Sequence, residues 1–96
     1  MMIMEKVRLR IRFYGEVQGV GFRYRAYHSA NSLGITGNVR NCYDGTVLCE
    51  VQGYRQDIDE MIKMISGGTY IDITDMDTEQ LPLSEDEYDF RITDSY

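Results

Sequence analysis

Residues 7 to 13 alternate strictly, with Val7, Leu9, Ile11 and Phe13 to one side and Arg8, Arg10 and Arg12 to the other. Such a period of two predicts a strand with one face buried. A glycine-rich stretch, residues 15 to 21, interrupts it, and beyond this Phe22, Ala26, Ala30 and Leu33 recur at helical spacing until Gly34 offers a C-terminal stop. Residues 35 to 41 alternate again, and Asp44-Gly45 suits a tight connection into a strand over 46 to 51, which predicts a hairpin. After Gly53, Ile58, Met61, Ile62 and Ile65 mark a second amphipathic helix that Gly67-Gly68 closes. Ile71, Ile73 and Met76 read as a fourth strand. Residues 78 to 87, with Pro82 and Glu85-Asp86-Glu87, read as an exposed loop, after which Tyr88, Phe90 and Ile92 resume strand alternation. The order βαββαβ with a short fifth strand predicts an α+β fold of the split βαβ, ferredoxin-like kind: an antiparallel sheet with both helices on one face.

At 96 residues the chain is expected to form one domain over 1–96, and 43% hydrophobic with 27% charged residues is the composition of a folded core rather than a disordered tail. Sixteen acidic against ten basic residues, a formal charge of -6, would repel nucleic acid and anionic membranes, so neither is an expected partner. Glu5, Lys6 and the arginines break every apolar stretch near the N-terminus, and nothing approaches a membrane span, so a cytoplasmic monomer is expected. Cys42 and Cys49 read as free thiols, and no ligand set for a metal is evident. Charge is uneven: residues 1–71 hold nine basic and seven acidic side chains (+2), residues 72–96 one and nine (-8). Any anion site therefore belongs in the first part. The acidic end reads as a solubilising surface, and the Arg8, Arg10, Arg12 row as a solvated strand face or a site for an acidic partner.

The segment between first strand and first helix carries the chemistry: Gly15, Glu16, Val17, Gln18, Gly19, Val20, Gly21 and Phe22, followed by Arg23. Three glycines in seven residues permit positive φ and let backbone N–H groups converge, while the helix start adds partial positive charge and Arg23 a bidentate fork. On physical grounds this is either a phosphate cradle or a tight turn. It lacks the third glycine of a dinucleotide fingerprint and the Gly-Lys-Ser/Thr of a Walker loop, so nucleotide is not expected.

The run from Gly15 to Arg23 resembles the acylphosphatase signature, a glycine, a variable residue, then Val-Gln-Gly-Val-Gly-Phe-Arg. A second block, Gly37-Asn38-Val39-Arg40-Asn41, two variable residues, then Asp44-Gly45, also matches that family in order and spacing. The resemblance extends through Gly53, the Gly67-Gly68 stop and Phe90-Arg91-Ile92. It implies hydrolysis of a small-molecule acyl phosphate to a carboxylate and inorganic phosphate, with no cofactor and no metal. Arg23 then holds the phosphate with the loop amides, Asn41 orients the attacking water, and the substrate's own phosphate accepts the proton. Without the resemblance, Asn41 would read as a turn residue before Asp44-Gly45.

Three positions depart from the family pattern: Asn38 for a common Trp, Gly68 for a frequent Pro, and Ile71 for a small Ala. Asn38 is expected to loosen packing beside Asn41. His28 reads as solvated or structural rather than as a proton shuttle, and Tyr24, Tyr27 and Tyr43 as either an acyl pocket or ordinary half-buried rings. Two further readings stay open. One is a noncatalytic or accessory acylphosphatase-like ligand-binding module, such as occurs in carbamoyl-phosphate-handling maturation proteins, against which the lack of an attached domain counts. The other is an RNA-binding ferredoxin-like domain, against which the net charge counts.

Overall fold

A computed structural model describes residues 4–93; residues 1–3 and 94–96 of the expected 1–96 domain lie outside the described residues. The elements are β1 (Lys6–Glu16), α1 (Phe22–Leu33), β2 (Thr36–Asn41), β3 (Val47–Tyr54), α2 (Arg55–Ser66), β4 (Asp72–Leu81) and β5 (Phe90–Ile92). The sheet order is β4-β1-β3-β2-β5. The first four strands pair antiparallel, as expected of the ferredoxin-like arrangement, whereas β5 runs parallel to β2, so the sheet is mixed.

Strand parity sorts the chain into two faces. Val7, Leu9, Ile11 and Phe13 lie opposite Gly53, Val51, Cys49 and Val47 on β3. They form the core with Phe22, Ala26 and Ala30 of α1 and Ile58, Met61 and Ile65 of α2. Phe22, the first residue of α1, packs on Phe13 with ring centroids 4.9 Å apart, which fixes where the helix starts over the strand. Gly34 at φ 69 stops α1 as predicted. Gly67, by contrast, ends α2 with ordinary right-handed angles (φ -75), so no left-handed conformation is needed there. What the second glycine supplies is room: a Cβ on Gly68 would lie 2.7 Å from Ile71 Cδ1. The two departures at 68 and 71 are thus one packing solution, a bulky Ile71 over a bare Gly68.

Two sequence expectations fail on the far side of the sheet. Residues 78 to 81 are not loop but the end of β4, which pairs with β1 as far as Arg8↔Leu81. Because β4 is an edge strand with nearly all of its side chains exposed, it shows no apolar alternation to read beyond Met76: Asp77 and Glu79 lie opposite Arg12 and Arg10 on the outer face, and on the other face Thr78 and Gln80 are polar rather than apolar. The connection from β4 to β5 joins opposite edges of the sheet, and it crosses the face away from the helices. There Gln52 donates to Ser84 O at 2.9 Å and accepts from Ser84 N at 2.7 Å, while Arg8 grips both Glu87 oxygens at 2.7 and 3.1 Å.

The arginine row is therefore not merely solvated. Arg8 is only 8% exposed, also pairs with Glu50, and has its pKa raised chiefly by the Glu87 hydrogen bond, against the opposing effect of its own burial. Arg10 bridges Glu50 and Glu79, and Arg12 donates to the Thr46 hydroxyl at 2.7 Å with Asp44 at 3.7 Å. The acidic partners of the row are the chain's own: Glu79 and Glu87 from the acidic segment, with Glu50 and Asp44 from β3 and the turn before it.

Candidate active site

The sequence dictates an unusual start to α1. Its N-cap is Gly21 at φ 82, which has no side chain to cap with, and its first turn holds no acid. After β1, the first backbone N–H to reach an acceptor is that of Arg25, on Gly21 O at 3.0 Å. Among the described residues the amides from Gln18 to Tyr24 donate to no backbone or side-chain group. A row of such donors with the positive end of the helix dipole is an arrangement that can hold an anion.

Beside these amides lies a cavity of about 320 Å³ lined by Val17, Gly19, Gly21, Phe22, Arg23, Tyr24, Asn41 and Ile92. Arg23 and Asn41, 18 positions apart, thus face one space. Arg23 is half-buried and has no carboxylate partner among the described residues, unlike the arginines of the outer face. Asn41, at the end of β2, has a buried Oδ1 that accepts no hydrogen bond. A buried amide oxygen is costly to leave unpaired, so an acceptor in this position suits a donor brought by water or ligand.

A crosslink holds the two halves together. Gln18 Nε2 donates to Cys42 O at 2.7 Å and to Thr46 O at 2.8 Å, tying the glycine loop to the turn that follows Asn41. That turn is closed by Cys42 N on Thr46 O (2.9 Å) and Gly45 N on Cys42 O (3.2 Å). Asp44 Oδ1 accepts from the Thr46 hydroxyl (2.6 Å) and amide (3.0 Å), and these bonds, the hydroxyl first, hold its carboxyl below the usual range. Gln18 was legible as a loop residue, but its long reach to a turn 24 residues away has no local signal.

The other named positions separate. Gly15 and Glu16 belong to β1, not to a loop: a bulge follows Tyr14, and a Cβ on Gly15 (φ 119) would sit 2.1 Å from Asp72 O, so that glycine permits strand contact. The loop proper is residues 17 to 21, in which Val17, like Phe22 after it, anchors its side chain in the core. Val20 and His28 line a neighbouring groove rather than the Arg23 cavity. Tyr24 lines both, whereas Tyr27 and Tyr43 line neither. Asn38 lies on the opposite sheet face from Asn41, beside Ser84 and Glu87, since an offset of three reverses the side, so it does not pack against Asn41. Ile92 is a lining residue that sequence reading missed, because the position of β5 next to β2 is a matter of topology.

Cys42 and Cys49 are unbridged, and burial pushes the Cys49 thiol pKa up. Among the described residues no three His, Cys, Asp or Glu side chains come together as a metal site, and no helix is long and apolar enough to cross a membrane.

The acylphosphatase family model matches residues 9–92. The chain is 37% identical over 86 residues to an acylphosphatase of Clostridium acetobutylicum, covering 88% of this chain and 94% of that one. The crystal structure of acylphosphatase from Bacillus subtilis superposes with a TM-score of 0.82 at 28% identity, over 91% of this chain and 98% of the other. Full-length HypF in its phosphate- and nucleotide-bound form matches with a TM-score of 0.84 at 26% identity, over 98% of this chain but 12% of that protein.

Proposed function

The chain belongs to the acylphosphatase family and is a hydrolase; from that premise we propose that it cleaves acyl phosphates using Arg23, the amides of the 17–21 loop and Asn41. The observation that carries this reading is the convergence, on one cavity, of a guanidinium, a run of amides and an Asn41 Oδ1 that are without partners among the described residues.

The phosphoryl group sits against the loop amides and the Arg23 fork, which neutralise its charge and stabilise the charge that spreads over its oxygens in the transition state. Asn41 Oδ1 accepts a hydrogen bond from a water and aims its lone pair at phosphorus. The new O–P bond forms as the bond to the acyl oxygen breaks, the carboxylate leaves with the electron pair, and the water's proton passes to a phosphate oxygen. Positioning and preorganised charge supply the acceleration, in keeping with a cavity whose lining holds no His, Asp or Glu. The unit acts as one domain over 1–96, a cytoplasmic monomer needing neither cofactor nor metal. The accessory-module reading rests on the likeness to HypF and predicts phosphate binding without turnover.

Phosphate release from benzoyl phosphate tests this. Arg23→Ala should abolish both turnover and inhibition by inorganic phosphate, whereas Asn41→Ala should lower turnover by about 100-fold or more with inhibition retained. EDTA should leave wild-type activity unchanged. Full activity in either variant, or loss in EDTA restored by a divalent cation, would overturn the mechanism.

A further inference from the structure

A second groove, of about 400 Å³, adjoins the Arg23 cavity and shares Gly21 and Tyr24 with it. Its walls are aromatic: Tyr24 is 65% and Tyr70 77% exposed, with the aliphatic Val20 and Ile71 also in the lining. The Tyr24 ring is held in place by its neighbours on α1. His28 lies 4.6 Å from it, tilted by 35°, and Tyr27 meets His28 edge-on at 5.5 Å. Arg25 donates through Nε to Met64 O at 2.5 Å, fixing α1 to α2 along the same groove. The lining contains no carboxylate, whereas the hollow beside Asn38 holds Asp86, Glu87 and Asp89.

These surfaces adjoin the reacting centre on the side that matters. In-line displacement places water and leaving group on opposite sides of phosphorus. Asn41 lines the phosphate cavity but not the groove, while Tyr24 and Gly21 line both. An acyl group leaving away from Asn41 passes Gly21, where no side chain intrudes, and comes to lie along the Tyr24 ring. Flat, preordered π faces with a partly aliphatic lining free of carboxylates, its one arginine, Arg25, tied to Met64 O, favour a planar aromatic group over a small aliphatic one.

We propose that this groove is the acyl subsite of the enzyme and that it selects aromatic acyl phosphates, with Tyr24 the principal specificity residue and Tyr70 the second wall. The proposal rests on the acyl-phosphate reading given above.

Its test compares kcat/KM for benzoyl phosphate and acetyl phosphate in the wild type, Tyr24→Ala, Tyr24→Phe and Tyr70→Ala. The wild type should favour benzoyl phosphate. The benzoyl-to-acetyl ratio should fall by about tenfold in Tyr24→Ala and several-fold in Tyr70→Ala, through a higher KM for benzoyl phosphate, and Tyr24→Phe should retain it. Tyr88→Ala, on the acidic connection across the sheet, should leave the ratio as in wild type. An unchanged ratio in both alanine variants, or equal losses on the two substrates, would overturn the groove assignment while leaving the catalytic reading intact. A wild type that hydrolyses neither substrate would overturn that reading and the subsite with it.

Discussion

Replacing Gln18 by leucine removes two hydrogen bonds and nothing from the core, because the amide nitrogen is what joins the glycine loop to the Asn41 turn at 2.7 and 2.8 Å. Each such bond contributes about 0.5–1.5 kcal/mol net, and the larger penalty for stranding a buried acceptor does not apply here. Cys42 O still accepts from Gly45 N, and Thr46 O still accepts from Cys42 N. The expected loss is therefore about 1–3 kcal/mol, which for a domain of this size lowers the thermal midpoint by roughly 4–24 °C. Turnover should suffer more than stability. In the proposed mechanism the loop presents the phosphate donors and the turn fixes Asn41, and a relative displacement of about 1 Å between catalytic groups costs on the order of 100-fold. Gln18→Glu should be worse than leucine at neutral pH, since it sets a carboxylate against two carbonyl oxygens. Thermal unfolding by circular dichroism and phosphate release from benzoyl phosphate measure the two effects separately. If both variants melt with the wild type and retain its kcat, the loop and turn are held by something else and the reasoning fails.

Gly37→Ala should destabilise by about 2–4 kcal/mol, read as a lower urea midpoint; the glycine has φ 139 and a Cβ there would lie 1.8 Å from Glu50 O. Glu87→Gln weakens an ion pair whose side chains are 10% and 17% exposed. The pair lies between a surface bridge and a buried one, so the loss should be about 1–3 kcal/mol by urea titration, and much of it should disappear in a double variant lacking Arg8. Asp44 has a lowered folded-state pKa, so its charged form stabilises the fold above the unfolded pKa and that contribution is lost as pH falls through the folded one. The stability difference between wild type and Asp44→Asn should accordingly be present at neutral pH and shrink as pH is taken below about 4, which pH-dependent thermal melts would follow.

What the sequence made legible was whatever depends on a single element. The β1 alternation, the α1 stop at Gly34 and the Asp44-Gly45 turn each have a local cause, and each stands where the pattern placed it. The extent of β4 was not legible, because an exposed edge strand owes its conformation to the backbone of β1 and not to its own side chains. Gly15 misled for a related reason: a glycine needed for close approach to Asp72 looks, in one dimension, like a glycine needed for a loop. The site divides in the same way. Arg23 and the loop glycines read on physical grounds as either a phosphate cradle or a tight turn, whereas Asn41 drew its proposed role from the family resemblance alone. Ile92 and the reach of Gln18 depend on contacts between segments distant in the chain, for which no local periodicity exists.

The same strand parity that builds the core also explains how a chain of charge -6 can hold carboxylates away from the proposed anion site. Arg8, Arg10 and Arg12 occupy even positions of β1 and so face away from the helices, where Glu50, Glu79, Glu87 and Asp44 meet them. The connection from β4 to β5 has to cross that face because its two strands are at opposite edges of the sheet, and in crossing it delivers Glu87 to the most buried of the three. Carboxylates from the acidic final quarter are thus engaged on the outer face, with the thickness of the sheet between them and the α1 N-terminus. Arg23, on the helix side and with no acid in its own first turn, has no carboxylate partner among the described residues. Had the acidic connection passed over the helix face, the nearest anion to Arg23 would have been part of the protein. The topology that closes the sheet therefore also holds these carboxylates away from the guanidinium proposed to bind phosphate.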